Sequence, residues 1–198
     1  CFPMICIGVF GEKTDNFIKQ LIKRYSDAEI RADVCIGDEE PVDTAYLKAI
    51  AMGREVFITD NFSDAFIEFD IVILFSYAES CNINLKQDGY AVINADDCAG
   101  FKNIALSAGV TRITCGVNSK AGVTISSIGE NMDGTEVIQC CIQHRIRTLS
   151  GRVIEPQEFS VNVRGVNYPI SEVLSLITTA IAGDIEETVT TSALISND

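Results

Sequence analysis

Over the first 118 residues, short apolar runs alternate with segments whose apolar residues fall at helical spacing, and no other feature constrains the fold as much. "MICIGVF" (Met4–Phe10), bounded by Pro3 and Gly11, reads as a buried strand. "TDNFIKQLIKRYSD" places Phe17, Leu21 and Ile22 at helical spacing, with Thr14 or Asp15 as the cap. "EIRADVCIG" is a second strand, and "PVDTAYLKAIAMG" a helix begun by Pro41 and ended by Gly53. "EVFITD" reads as a strand and "NFSDAFIEF" as a short helix. "DIVILFSY" is largely apolar, as expected of a central parallel strand. "YAVINAD" follows as a strand, "CAGFKNIALSAG" as a helix closed by Gly109, and "TRITCGV" as a further strand. This grammar predicts an α/β fold of P-loop type, a mostly parallel sheet flanked by helices.

After residue 118 the grammar changes. Apolar and polar residues alternate, broken at Asp133-Gly134 and Ser150-Gly151, which predicts a small subdomain of three or four antiparallel strands. A final helix starts at Pro169, lines one face with Val173, Leu174, Ile177 and Ile181, and ends at Gly183. The expected organisation is a single domain over 1–198: a parallel α/β core at 1–118, an antiparallel β element at 119–165, and a closing helix and tail at 166–198.

Charge narrows the partners. The chain carries 28 acidic and 15 basic residues, for a net charge of −13. That argues against nucleic acid and anionic membrane, whose phosphates need a positive surface. No apolar run is long enough to cross a bilayer. The eight cysteines include no CxxC pair, and several sit inside apolar runs, so reduced, buried thiols and a cytoplasmic location are expected, without zinc. A start at Cys1, with no basic stretch before the apolar run, reads as a trimmed piece rather than a signal peptide.

Two loops carry the candidate chemistry. The first is Gly8-Val9-Phe10-Gly11-Glu12-Lys13-Thr14. A phosphate-binding loop needs glycines for close backbone approach, a lysine for phosphate charge and a hydroxyl for magnesium. With Lys13-Thr14 as the Lys-Thr pair, the glycine positions hold Glu12 and Ile7, and a carboxylate there repels phosphate. A plain strand-to-helix turn explains this segment taken alone. The second loop is "YAVINADDCAG", in which a strand runs into Asn94-Ala95-Asp96-Asp97. Ligands of parallel sheets bind beyond the strands' carboxyl ends, and an asparagine there can both give and accept a hydrogen bond, as an adenine base requires. Asp96 or Asp97 could equally cap the next helix. Weaker candidates are the acidic run Asp38-Glu39-Glu40, Lys120 in "GVNSKAG", and Arg145 and Arg147 on one face of a strand.

Taken in order, these landmarks resemble the central domain of the Mur ligases, a family that includes the folylpolyglutamate synthetases and joins an amino acid to a carboxylate using ATP. Gly8 and Gly11 fall on the glycines of the family's G-T-x-G-K-T-T loop. "VINADD" matches closely, "TRITCGV" resembles the short strand that follows, and "VRGVNYPISEVLSLITTAIAGDI" resembles a later helix of the family. The resemblance implies ATP and magnesium as cofactors. It implies nucleotide contacts at Gly8, Gly11, Lys13, Thr14, Asn94 and Asp97, and metal contacts at Thr14 and Glu79. Asp60 and Glu55 lie near the slot of the family's remaining metal-binding carboxylate. It also implies flanking substrate and amino-acid domains, or another protein partner in their place. The departures bear on activity. Glu12 stands at the lysine slot, and the family's Asp-His pair reads Glu79-Ser80. The expected function is therefore an ATP-dependent ligase relative with impaired or absent catalysis in this chain. The alternatives are a non-catalytic interaction or regulatory domain on the same scaffold, and a binder of another small anion.

Overall fold

The computed structural model describes residues 4–11, 14–38, 40–62, 66–75, 83–97, 109–164, 169–185 and 193–196. The chain packs as two units. One comprises Cys1–Ile93 with Asp97–Arg112, the other Asn94–Asp96 with Ile113–Asp198.

In the first unit, β1 (Ile5–Phe10), β2 (Ala32–Cys35), β3 (Val56–Thr59), β4 (Phe69–Leu74) and β5 (Leu85–Asn94, up to Ile93) form a parallel sheet in the order β5-β4-β1-β3-β2. Helix α1 (Asp15–Asp27) links β1 to β2, and α2 (Val42–Ala51) links β2 to β3. These two crossovers run in opposite directions across the sheet, and right-handed connections then place the helices on opposite faces. Pleating divides the strands accordingly. Cys6, Phe10, Phe57, Val72, Leu74 and Ala91 pack with Val42, Ala45 and Ala49 of α2. The alternating residues Ile7, Val9, Ile58, Ile71 and Ile73 are also buried, as are Phe17, Ile18, Leu21 and Tyr25 of α1.

The register puts Gly8 opposite both Thr59 and Val72, and it aligns Phe10 with Leu74 and Leu74 with Ile93. These strands therefore end nearly level. Two expectations need revision or lie beyond reach. The described part of "NFSDAFIEF" (61, 62 and 66–68) is not helical, and Phe69 already belongs to β4. The helix expected from "CAGFKNIALSAG" falls almost wholly outside the described residues.

In the second unit, β6 (Thr111–Cys115) pairs in parallel with β7 (Val123–Glu130). An antiparallel meander follows through β8 (Glu136–Ile142) and β11 (Gln157–Arg164), with β12 (Ala193–Ser196) parallel to β11. A small hairpin, β9 (Ile146–Arg147) with β10 (Val153–Ile154), is inserted between β8 and β11. The α/β class with a small antiparallel part near the C-terminal end is thus observed.

Helix α3 (Ile170–Ala182) departs from its amphipathic reading. Every residue from Val173 to Ala182 is buried, including Ser175, Thr178 and Thr179. The hydroxyls make this burial tolerable. Thr178 donates to the Leu174 carbonyl at 2.6 Å and Thr179 to the Ser175 carbonyl at 2.8 Å, while Ser175 meets the Cys115 thiol at 3.2 Å. No helix among the described residues is long and apolar enough to cross a membrane.

Candidate functional site

The first corner lies where β1 leaves the sheet. Gly11 follows the strand with φ 153°, a conformation side chains rarely adopt. Thr14 sits at the N-cap of α1, yet its hydroxyl makes no capping bond. It donates instead to Asp60 Oδ2 at 2.9 Å, and Thr14 itself is 4% exposed. Asp60 follows β3, the neighbour of β1, so parallel pairing brings the two strand ends together. The other carboxylate oxygen, Oδ1, accepts the Gly37 N–H at 2.8 Å. Asn61 completes the corner, its side-chain nitrogen donating to the Gly37 carbonyl at 2.9 Å and to Asp38 Oδ1 at 3.2 Å.

This geometry separates Asp60 from Glu55, which the sequence leaves equivalent. Glu55 precedes β3, at the opposite end of the strand, and pairs with Arg31 at 3.1 Å. The Arg31 N–H and guanidinium hold the Glu55 carboxyl below its ordinary range. Gly8 lies inside β1 rather than in the loop. A Cβ there would stand 2.7 Å from the Phe62 ring and 3.2 Å from Phe69, so the missing side chain accommodates aromatic packing. Lys13, Glu12 and Glu79 lie outside the described residues.

The far end of the same sheet holds a second polar cluster. Asp70, at the start of β4, accepts the Cys6 N–H at 2.8 Å and the Lys86 ammonium at 2.7 Å. Burial opposes the charge on Lys86, but its hydrogen bond to Asp70 and the charge of Asp70 prevail, and its pKa is raised. Burial, then the charge of Asp70, pushes the Cys6 thiol up to about 11. Asp70 takes over at the end of the strands where backbone pairing between β1 and β4 stops, since their register begins only at Ile7 and Ile71. This is a structural role.

The second corner lies in the other unit. Asn94 ends β5 and is 8% exposed, and its side-chain oxygen accepts the Asp96 N–H at 3.0 Å. The Asp96 carboxylate accepts two backbone donors, Val117 N–H at 2.9 Å and Asn118 N–H at 3.0 Å. Asp97 closes the 3-10 turn Ala95–Asp97. The sequence offers Asp96 or Asp97 as a cap for the next helix, which lies almost wholly outside the described residues; the Asp96 carboxylate also holds the turn after β6, which the cap reading does not suggest. The glycine of "TRITCGV" was the available signal, because a Cβ on Gly116 would lie 2.8 Å from the Asp96 carboxylate. Two of the weaker candidates form surface ion pairs. Glu40 pairs with Lys48, and Arg145 with Glu155 at 2.9 Å.

Chemically, the first corner offers a hydroxyl and a carboxylate, both hard oxygen donors. Magnesium is usually held by one or two such groups plus phosphate oxygens and water, so the residues present fit that ion. Among the described residues no cluster of three or more His, Cys, Asp or Glu could hold a metal by itself.

No protein-family model matches the chain, and no curated protein does. Solved structures do. UDP-N-acetylmuramoyl-L-alanyl-D-glutamate–2,6-diaminopimelate ligase superposes with a TM-score of 0.64 at 13% identity, over 95% of this chain and 45% of that one. MurF ligase from Thermotoga maritima, solved with ADP, gives 0.60 at 11% identity, over 96% of this chain and 49% of that one. The bifunctional folylpolyglutamate synthase/dihydrofolate synthase from Yersinia pestis, solved with AMPPNP and a Mn ion, gives 0.54 at 11%, over 97% of this chain and 58% of that one. The chain therefore has the fold of a segment of these ligases and spans about half their length.

Proposed function

We propose that this chain is a nucleotide-handling domain related to the ATP-dependent carboxylate–amine ligases of the Mur type, with weakened or absent ligase chemistry of its own. The observation that carries the reading is the Thr14–Asp60 hydrogen bond at 2.9 Å, which joins the hydroxyl after the glycine turn to a carboxylate at the end of the adjacent parallel strand. Magnesium would be held by Thr14 and Asp60, with Glu79 as a further candidate. Gly11 and Lys13 would serve the phosphates, Gly8 would hold the strand beneath them, and Asn94 and Asp97 would serve the base. Bound magnesium would neutralise charge on the transferring phosphate. Glu12, at the lysine slot, works against the same charge, which is why the chemistry is expected to be weak.

Titration calorimetry with ATP, with and without magnesium, tests this reading. The expected result is magnesium-dependent binding that weakens by about tenfold or more in Asp60→Ala and Lys13→Ala, the scale of a lost charge-assisted contact, and weakens also in Asn94→Ala. Silence at millimolar Mg-ATP would overturn it. That result would favour the second reading, a non-catalytic interaction domain, for which Glu12 is the supporting observation.

A further inference from the structure

Strand β7 outruns its neighbour on one side. It pairs with β8 along its length, but β6 meets it at one position, Cys115 opposite Val123. Among the described residues no other strand lies on that side of β7. The register with β8 slips between Ile125 and Ser127, a bulge at Ser126, and from Ser127 to Glu130 it runs unbroken. The turn that follows sets the hydrogen-bond phase. Asn131 donates its N–H to the Thr135 carbonyl at 2.8 Å, so these two form a bonded pair. Bonded and non-bonded pairs alternate in an antiparallel ladder. Gly129 and Ser127 therefore bond to β8, while the N–H and C=O groups of Ile128 and Glu130 turn outward. Every residue from Ser126 to Glu130 is exposed. The side chains add a pattern. Ile128 stands opposite Ile138, and Ile138 opposite Val161. The inner two are buried and Ile128 is 47% exposed, so an apolar row runs out to the edge. Glu130 lies directly opposite Glu136 in a non-bonded pair, the closer kind, where like charges repel. Neither carboxylate has an ion-pair partner among the described residues. The run from Ser127 to Glu130 holds no lysine or proline, the residues that commonly guard a strand edge.

We propose that the β7 edge from Ser127 to Glu130 is a docking site for an extended, basic segment of another protein, which adds antiparallel to the sheet. The outward groups of Ile128 and Glu130 have the spacing of a strand, and a second extended backbone meets all of them at once. The side chains select which segment. Read from its N-terminal end, it places a lysine or arginine beside Glu130 and, two residues later, an apolar residue beside Ile128. The cation lies in line with Glu130 and Glu136 and relieves their repulsion, and the apolar residue continues the row of Ile128, Ile138 and Val161. A second copy of this chain fits the edge poorly. Two molecules that each carry −13 repel, and β7 has no cation of its own to set beside Glu130. The proposal does not depend on the nucleotide reading.

The test is an NMR titration of the chain with a capped threonine peptide that carries a lysine and, two residues later, a valine. The Ile128 and Glu130 amides should shift and gain protection from hydrogen exchange, saturating at about millimolar peptide or below. Glutamate in place of the peptide's lysine should weaken binding by about fivefold or more, and Glu130→Lys should do the same to the lysine peptide. N-methylation of the peptide's lysine or valine removes an N–H aimed at β7 and should abolish binding. N-methylation of the threonine between them, whose N–H points away, should leave binding within about threefold. Ile128→Pro deletes an outward N–H that the β8 ladder does not use, at an edge position where proline is tolerated. It should lose the peptide while the Asn131 amide stays protected by Thr135. Unshifted Ile128 and Glu130 amides at millimolar peptide overturn the proposal. Equal binding of the glutamate peptide overturns the charge selection, and indifference to the site of methylation overturns strand pairing. A wild-type chain that dimerises alone with these two amides protected makes a second copy the occupant and overturns the proposal as well. If Ile128→Pro does not fold, the methylated peptides decide, since they leave the protein unchanged.

Discussion

Asp184 accepts two hydrogen bonds from Ser150, one from its backbone N–H at 2.6 Å and one from its hydroxyl at 2.9 Å, across 34 residues of sequence. The Arg152 guanidinium lies 3.6 Å from the same carboxylate, and the Leu149 N–H donates to the Ala182 carbonyl. Together these bonds tie the turn between β9 and β10 to the end of α3. Asp184 does this from φ 65°, which costs a residue with a Cβ about 1 kcal/mol relative to glycine. Asp184→Gly removes that strain and also both hydrogen bonds to a charged acceptor, each worth about 1.5–3 kcal/mol. The bonds should win, with a net loss of about 2–5 kcal/mol in urea unfolding. Asp184→Asn should lose less. A more stable Asp184→Gly would mean that the strain exceeds the clamp.

Gly8→Ala tests whether that glycine serves packing. The new Cβ would sit 2.7 Å and 2.9 Å from two atoms of the Phe62 ring, which is closely packed against Phe10 and Phe69 at centroid distances of 5.2 Å. Overpacking of this kind costs about 1–3 kcal/mol. Phe62→Leu in the same chain should recover part of the loss, since it removes the atoms in conflict. Denaturant midpoints of the two single variants and the double variant give the coupling. Additive losses would show that the clash is relieved elsewhere.

The buried thiols set the alkaline limit of stability. Burial pushes Cys115 up to about 11, only partly offset by hydrogen bonds from Ser175 and Thr178. Burial, with a smaller contribution from the charge of Cys141, takes Cys140 to about 12, and Cys6 stands at about 11. A raised folded-state pKa means that the folded chain keeps protons the unfolded chain has lost. The stabilisation is complete below the ordinary thiol value of 9.0 and disappears as pH rises toward 11–12. Stability should therefore fall above pH 9, by roughly 1.4 kcal/mol per pH unit for each thiol ionised only in the unfolded chain. Chemical unfolding at pH 8, 9 and 10 checks the sign, and replacing Cys140 with Ala should flatten the slope. A flat profile in the wild type would contradict the burial argument.

Legibility from sequence followed the range of the interactions. β1 and α1 were readable because an apolar run and helical spacing are local patterns, and the parallel order followed from their alternation. The full burial of α3 was not readable in the same way. Ser175, Thr178 and Thr179 look solvent-facing until their hydroxyls are seen to bond within the helix or to Cys115. At the site, Gly11 and Thr14 announced themselves by spacing. Asp60 did not, because its partner lies 46 residues away and only strand adjacency brings them together. Asp96 carried only the signal of a helix cap, which it shares with Asp97, and nothing local pointed to the turn after β6. Its actual partners depend on the position of Gly116. Gly8 illustrates the converse, a residue with a motif's identity placed by the packing of two phenylalanines.

The pair Thr14 and Asp60 permits a test that separates folding from ligand handling. Asp60 joins two donors, the Thr14 hydroxyl and the Gly37 N–H, at 2.9 and 2.8 Å. Asp60→Ala leaves both without that acceptor, at a cost of about 1–3 kcal/mol. Thr14→Val removes only the hydroxyl and should cost about 1 kcal/mol. Because the two share one bond, the double variant should be more stable than the sum of the singles by about 0.5–1.5 kcal/mol in urea unfolding. The Asp60→Ala variant, if still folded at 25 °C, should show no melting-temperature rise with Mg-ADP, whereas the wild type should gain one that grows with ligand concentration. A coupling near zero would mean that the hydroxyl finds another acceptor. A retained Mg-ADP shift in Asp60→Ala would move the metal to other ligands and remove the main support for the proposed phosphate corner.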